Sequence, residues 1–292
     1  MVISAASGSP WGWHLHPLAW VLVPLLGASH VLARRRLALD AWPRTPTVTG
    51  PQQASFLAAL VLAFVSLGWP VADLADRSLL AYMVQQCLLL LVIPPLLLLG
   101  VPRWLVDLLT RPPGVDAVLR FLFRPMAATV AFNGMAVASF LPVVVNATAR
   151  SWLVAAGVQL AVLAGGILMW APALRILPGV GQLTRTGRAG YLIVQSLIPS
   201  LASLAFIVAR HPLYTALSPR SLGLSPLVDQ QLAGALAKVA GVVALLGTAA
   251  MMLLRSHQAE GAGRDPDPLR WDDVERELRR LERRERPKDS AS

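Results

Sequence analysis

Seven apolar stretches, each close to the length of a membrane-crossing helix, constrain this chain more than any other feature. Such a helix needs about 20 predominantly apolar residues. With 55% hydrophobic and only 14% charged residues, the 292-residue chain holds more apolar surface than one soluble core would bury. We therefore predict an all-α, polytopic membrane bundle of seven transmembrane helices. The predicted spans are Pro17–Ala33, Ala54–Ala72, Ser78–Gly100, Pro125–Ala147, Trp152–Leu174, Ala189–Ala209 and Gln230–Leu254.

Basic residues are distributed unequally between the two ends of the predicted bundle. Ahead of the C-terminal tail, the odd-numbered connections carry eleven Arg residues, whereas the N-terminus and the even-numbered connections carry four. The positive-inside rule then predicts an N-terminus outside the cell and a C-terminus in the cytoplasm. The net charge of +10 thus indicates topology. Because the chain lacks a soluble basic face interleaved with aromatic residues, we expect no binding of nucleic acid.

The C-terminal segment is rich in charged residues and differs in composition from the predicted membrane region. We predict a transmembrane domain over residues 1–256 and a cytoplasmic tail over 257–292. Within the tail, Asp267-Pro268 is typical of a helix start. Apolar residues then recur at helical spacing, which predicts a short amphipathic helix that rests on the membrane or on the protein's own loops, or docks a partner. This stripe comprises Trp271, Val274, Leu278 and Leu281.

Prolines interrupt several of the predicted spans. Each removes one helical hydrogen bond and predicts a kink unless a neighbouring group satisfies the carbonyl that it leaves free. The pair Pro94–Pro95 predicts a bend in the inner half of the third helix, or its early end. The other prolines of this kind are Pro70, Pro142 and Pro199.

Polar side chains are rare inside the spans, and most lie in the predicted outer half. Lys238 follows Asp229 by nine residues, which places it roughly 13–14 Å deeper, near the bilayer midplane. No Asp or Glu lies within a predicted span to pair with it. We predict that these residues contact a partner or ligand; interhelical hydrogen bonding, and a lysine tolerated in the core, are the alternatives. The set comprises Gln85, Gln86, Gln159, Asp229, Gln230 and Lys238.

Residues suited to metal binding or catalysis are few. Histidine is the commonest ligand for haem iron and copper in membranes, yet only His30 falls within a span. The pair His14 and His16 on the outer segment is a candidate metal site or an interfacial feature, and Met83 and Cys87 offer sulfur. The chain has no nucleophile elbow, phosphate-binding loop or zinc-protease motif, so we expect no enzymatic activity.

Three segments of the sequence resemble one known family, in the same order along the chain. They resemble the second and third, fifth, and seventh helices of the seven-span cytochrome c oxidase assembly factors (the caa-type, CtaG-like group). An outer turn with Asp73 and Asp76 belongs to the first segment. The matching residues are Pro70, Leu74, Ala75, Asp76, Met83-Val84-Gln85, Pro94-Pro95, Gly100 and Pro102, then Trp170 and Pro172, then Asp229-Gln230-Gln231 with Ala233 and Gly234.

The resemblance implies a multi-pass protein of the bacterial-type cell (inner) membrane. It implies copper delivery to, or maturation of, the catalytic subunit of a haem–copper oxidase, with copper as the implied metal. The family's usual histidines are replaced, and Gln and Tyr are poor Cu(I) ligands, which favours a copper-free scaffold. A small permease with Lys238 in a polar path is the alternative. The family's histidines correspond here to Tyr82, Gln86, Phe140, Ala155 and Gln159, and its Met-Trp to Ala237 and Lys238.

Overall fold

The computed structural model is helical, with no strand among the residues that it describes, which confirms the all-α prediction. The structure describes residues 16–39, 49–102, 105–106, 110, 112–177, 180, 183–214, 217, 219, 223–261 and 278. Its helices are α1 (Pro17–Leu39), α2 (Gly50–Leu67), α3 (Val71–Ala75), α4 (Leu79–Gly100), α5 (Pro113–Leu122), α6 (Pro125–Ser139), α7 (Pro142–Thr148), α8 (Trp152–Leu174), α9 (Arg185–Val208) and α10, which runs through Pro226–Gly241, Val242–Leu246 and Gly247–Gly261.

Five of these helices are long and apolar enough to cross a membrane: α2, α4, α8, α9 and α10. The pair α6 and α7 makes a sixth crossing if it is counted as one span, although its two parts are bent by 68°. Helix α1 forms where the first span is predicted, but its apolar part covers only Pro17–Leu32. The structure thus supports a multi-pass membrane protein with five or six spans. Seven spans and the orientation stay predictions.

Helix α4 continues through Pro94 and Pro95 to Gly100. Another helix supplies the hydrogen-bond donor that Pro94 lacks. Pro94 has no N–H to donate to the carbonyl of Leu90. The indole Nε1 of Trp170 in α8 donates to that carbonyl instead, at 3.2 Å. A π-helical stretch, Leu88–Val92, precedes the prolines. Gly166 lets α8 come this close, since a Cβ there would lie 2.6 Å from Pro94 Cγ.

Pro142, by contrast, separates α6 from α7. Pro is favoured in the first turn of a helix, where its missing N–H costs nothing, and α7 begins at Pro142. Two tyrosine hydroxyls satisfy carbonyls at the end of α6: Tyr82 donates to Ser139 at 2.9 Å and Tyr214 donates to Phe140 at 2.6 Å. The predicted kink is therefore a sharp break in the fourth predicted span.

Helix α4 lies at the centre of the bundle, and α10 lies at its periphery. Half of α4 is buried, and it packs against α2, α3, α8 and α10. Only 11% of the apolar window of α10 is buried, on the side that meets α4 and α9. Helix α10 also continues past the predicted domain boundary at residue 256. The predicted amphipathic helix of the tail lies outside the described residues, apart from Leu278.

Candidate functional site

The buried carboxylate of Asp229 caps the first turn of α4. Its Oδ1 accepts a hydrogen bond from the Ser78 hydroxyl at 2.6 Å and one from the Leu80 N–H at 3.3 Å, and its Oδ2 accepts from the Leu79 N–H at 2.7 Å. The side chain is 2% exposed. A helix N-terminus presents unpaired N–H groups and a positive dipole end, which together stabilise an anion. Asp229 therefore joins the starts of α4 and α10.

The two glutamines after Asp229 bind backbone groups at the same end of the bundle. Gln230 accepts from the Leu213 N–H through Oε1 at 2.8 Å, and Gln231 donates to the Ala209 carbonyl at 3.3 Å. Gln230 is 1% exposed, and its Nε2 has no partner among the described residues. The motif Asp229-Gln230-Gln231 thus ties the start of α10 to α4 and to the segment that follows α9.

Gln85 and Gln86 are adjacent and buried, but their side-chain amides differ in hydrogen bonding. The Nε2 of Gln85 donates to the carbonyl of Ser66, near the end of α2, at 2.7 Å. The side chain of Gln86 is fully buried, and neither amide atom has a hydrogen-bond partner within the described part of the chain. Because an unsatisfied buried polar group costs roughly 1–3 kcal/mol, Gln86 is the least satisfied member of the predicted polar set.

Gln159 and Lys238 do not join this buried group. Gln159 is half-buried on α8, and Lys238 is exposed on the outer surface of α10. On insertion scales an unpaired lysine at the middle of a membrane helix costs about 2.5–3.5 kcal/mol. The predicted outer layer is therefore divided: Asp229, Gln230 and Gln85 bind neighbouring segments, whereas Lys238 is exposed at the surface of α10.

A cavity lies between α4, α6, α9 and α10. Its walls are mainly apolar, with Met83 and Cys87 from α4, Phe140 just after α6, Ser203 from α9 and Ala237 from α10. Phe140 and Ala237 occupy two of the positions where the resemblance expects metal-binding side chains, and these two line the same cavity. Ala155 lies on α8 and does not line the cavity.

Tyr82 and Tyr214 adjoin this cavity in one hydrophobic cluster with Phe206. Tyr82 also holds a position where the resemblance expects histidine, and its hydroxyl is engaged by the Ser139 carbonyl. Burial raises the pKa of the Tyr214 hydroxyl, which lies in the segment between α9 and α10. Tyr214 therefore stays protonated at neutral pH and keeps donating to Phe140.

The donors around the cavity do not fit a copper site of the usual kind. Cu(I) prefers thiolate, thioether and imidazole ligands. Met83 and Cys87 supply two sulfur atoms one helical turn apart, and no group of three or more His, Cys, Asp or Glu side chains that could hold a metal occurs within the described ranges. The cavity thus offers sulfur without imidazole.

The predicted outer-turn residues and the outer histidines are only partly described. Asp73 is buried on α3, and its Oδ1 lies 3.3 Å from Nε2 of His16, just before α1. Asp76 is exposed at the end of α3. His14 lies outside the described residues. His16 thus contacts a carboxylate, and the predicted His14–His16 metal pair stays a prediction.

A second buried polar cluster joins α6 and α9 in the predicted cytoplasmic half. Asn133 donates to Gln195 Oε1 at 2.9 Å, and Gln195 donates to the Thr129 hydroxyl at 2.6 Å. Thr129 in turn donates to the Pro125 carbonyl. This cluster satisfies its own members, with the exception of Asn133 Oδ1. It is therefore a helix-to-helix connection.

Sequence reasoning missed two residues that the structure makes important. Ser78 links Asp229 to α4, and its signal is a serine just before an apolar run, typical of a helix cap. Tyr214 supports the break after α6 from a distant segment. Nothing in the sequence near Tyr214 indicates this contact.

Apolar crossing helices, joined at their ends by buried polar contacts, define a polytopic helical membrane protein. The chain belongs to the cytochrome c oxidase caa3 assembly factor family, whose family model matches residues 27–258. This match confirms the family resemblance. No curated protein and no solved structure matches the chain.

Proposed function

We propose that this protein assists maturation of the catalytic subunit of a haem–copper oxidase in the bacterial inner membrane, as a scaffold that holds no copper within its helices. Membership of the caa3 assembly factor family over residues 27–258 is the observation that carries the proposal. The apolar crossing helices agree with a site of action in the membrane.

The side chains at the positions of the family's histidines support the copper-free form of the proposal. Tyr82 bonds a backbone carbonyl at the break after α6, and Phe140 and Ala237 contribute only hydrocarbon to the cavity. The cavity retains Met83 and Cys87 as soft donors. Both sulfurs are soft donors of the kind that Cu(I) accepts, but the family's imidazoles are replaced around them, so delivery of copper through this cavity is the less supported alternative.

A permease has no comparable support. That hypothesis needs Lys238 in a polar path through the bundle, whereas Lys238 is exposed on the outside of α10 and does not line the cavity. The walls of the cavity are mainly apolar. We therefore do not propose transport.

The test compares oxidase from a strain that lacks this gene with oxidase from the parent strain, each grown in limiting and in excess copper. Copper and haem per oxidase and turnover are measured. A scaffold predicts loss of the assembled oxidase that added copper does not restore. Oxidase that keeps haem, lacks copper and recovers with added copper would instead establish copper delivery. Normal oxidase under both conditions would refute the proposal.

Complementation with a sulfur-free cavity separates the two versions further. A Met83→Leu, Cys87→Ser double variant removes both soft donors and preserves side-chain size. The scaffold version predicts oxidase copper equal to that with the wild-type gene. Leu91→Ile is the matched control, because it alters the wall of the same cavity without removing sulfur. Copper loss in the sulfur variant alone would contradict the copper-free proposal.

A further inference from the structure

The exposed position of Lys238 on α10 indicates a contact outside this chain. We call its surroundings the Lys238 face: Leu232, Ala235, Lys238, Val239 and Val242, all exposed. One helical turn before Lys238, Gly234 packs so closely on α9 that a Cβ there would lie 2.8 Å from the Ser203 carbonyl, so Lys238 lies at the edge of the buried stripe of α10. Helix α10 therefore cannot turn Lys238 inward without losing this packing.

The chain offers Lys238 no counter-charge on its own helix near its depth. The sequence holds no Asp or Glu between Asp116 and Asp229, nor between Asp229 and Glu260. Asp229 lies nine residues away, and its carboxylate is directed to the start of α4. Charged side chains inside membranes pair with one another or reach water. Because no Asp or Glu lies within a predicted span, a carboxylate that pairs with Lys238 at its depth must come from another molecule.

We infer that the Lys238 face docks a transmembrane helix of the oxidase catalytic subunit, and that this helix carries an Asp or Glu at the depth of Lys238. The identity of the partner rests on the proposed function. A positive charge within an apolar face selects a carboxylate and gives register along the helix, because only one depth pairs the two groups. A second copy of this chain is disfavoured, since two Lys238 side chains would meet.

Site-specific photocrosslinking in membranes tests this contact. A photoreactive benzoylphenylalanine at position 239, beside Lys238, is expressed with an epitope-tagged catalytic subunit. The same probe at position 198 on α9 is the matched control, because Ile198 is an exposed apolar residue on a different helix. The adduct is then compared for Lys238, Lys238→Arg and Lys238→Met, with equal membrane levels verified by blotting.

The inference predicts an adduct with the catalytic subunit from position 239 and none from position 198. Lys238→Arg keeps the adduct, since it keeps the charge, whereas Lys238→Met lowers the yield about tenfold. Equal yields with Lys238→Met would overturn the charge pairing. Absence of an adduct from position 239 would overturn the docking surface and indicate a lysine that extends to the lipid head groups.

The strain that lacks the gene distinguishes failure of this inference from failure of the proposed function. If that strain loses its oxidase but position 239 gives no adduct, the scaffold function stands and the Lys238 face is wrong. If the strain assembles normal oxidase and position 239 gives no adduct, the proposed function and the docking role of the Lys238 face are both wrong.

Discussion

Replacing Asp229 with Asn tests the inference that one carboxylate holds the start of α4. Its two short bonds, to Ser78 Oγ at 2.6 Å and to the Leu79 N–H at 2.7 Å, involve a charged acceptor. Such bonds contribute about 1.5–3 kcal/mol each. Asn keeps one acceptor oxygen and turns an NH₂ group toward a donor. We therefore expect Asp229→Asn to lower the free energy of unfolding by about 2–3 kcal/mol.

Unfolding in detergent micelles by titration with a denaturing detergent measures this loss, and amide hydrogen exchange at Leu79 and Leu80 localises it. Ser225→Ala is the matched control, because Ser225 caps α10 through one exposed bond to the Val228 N–H at 3.3 Å. That change should cost about 0.5–1 kcal/mol. If Asp229→Asn costs no more than the control and exchange at Leu79 and Leu80 is unchanged, the capping argument is refuted.

Three further tests, two of them with a control substitution, address the packing and hydrogen bonds around α4. Gly166→Ala should destabilise the protein by about 1–3 kcal/mol, because its Cβ would overlap the Pro94 ring. Gly157→Ala is the control and should not destabilise the protein in the same denaturant titration, because a Cβ there meets nothing within 4 Å. Gln85→Leu should lower the free energy of unfolding by about 1–3 kcal/mol, because it leaves the Ser66 carbonyl unpaired. Gln86→Leu should leave that free energy unchanged or raise it, since neither amide atom of Gln86 is paired among the described residues. A larger loss of stability for Gln86→Leu than for Gln85→Leu in denaturant titrations would contradict the assigned bonds. Tyr82→Phe should increase proteolysis at the break after α6, and an unchanged cleavage rate would argue against its support by the hydroxyl.

Hydropathy predicted where helices lie along the chain but not which side of each faces the core. The third, fifth and seventh predicted spans correspond to α4, α8 and α10. Lys238 shows the limit, because its depth follows from counting residues, whereas its outward direction depends on Gly234 packing against α9. One residue changes direction by 100° around a helix, so depth alone could not assign Lys238 to the interior.

The effect of each proline on its helix was also only partly predictable, because it depends on contacts with other helices. Pro142 and the Pro94–Pro95 pair were expected to disturb their helices, yet only Pro142 separates two helices. The difference lies in Trp170, which donates to the carbonyl that Pro94 leaves free from 80 residues away. This contact and the cap by Asp229 join segments that are far apart along the chain. The residues around each one in the sequence do not indicate such a contact.

The bond between Ser78 and Asp229 also imposes an order on biosynthesis. Its two residues are 151 positions apart. At about 5–20 residues per second, roughly 8–30 seconds separate their synthesis. Throughout that interval the Ser78 hydroxyl and the Leu79 and Leu80 N–H groups lack this acceptor. Chains that stop before α10 lack Asp229, so we expect truncated chains to expose the start of α4 that finished chains cap.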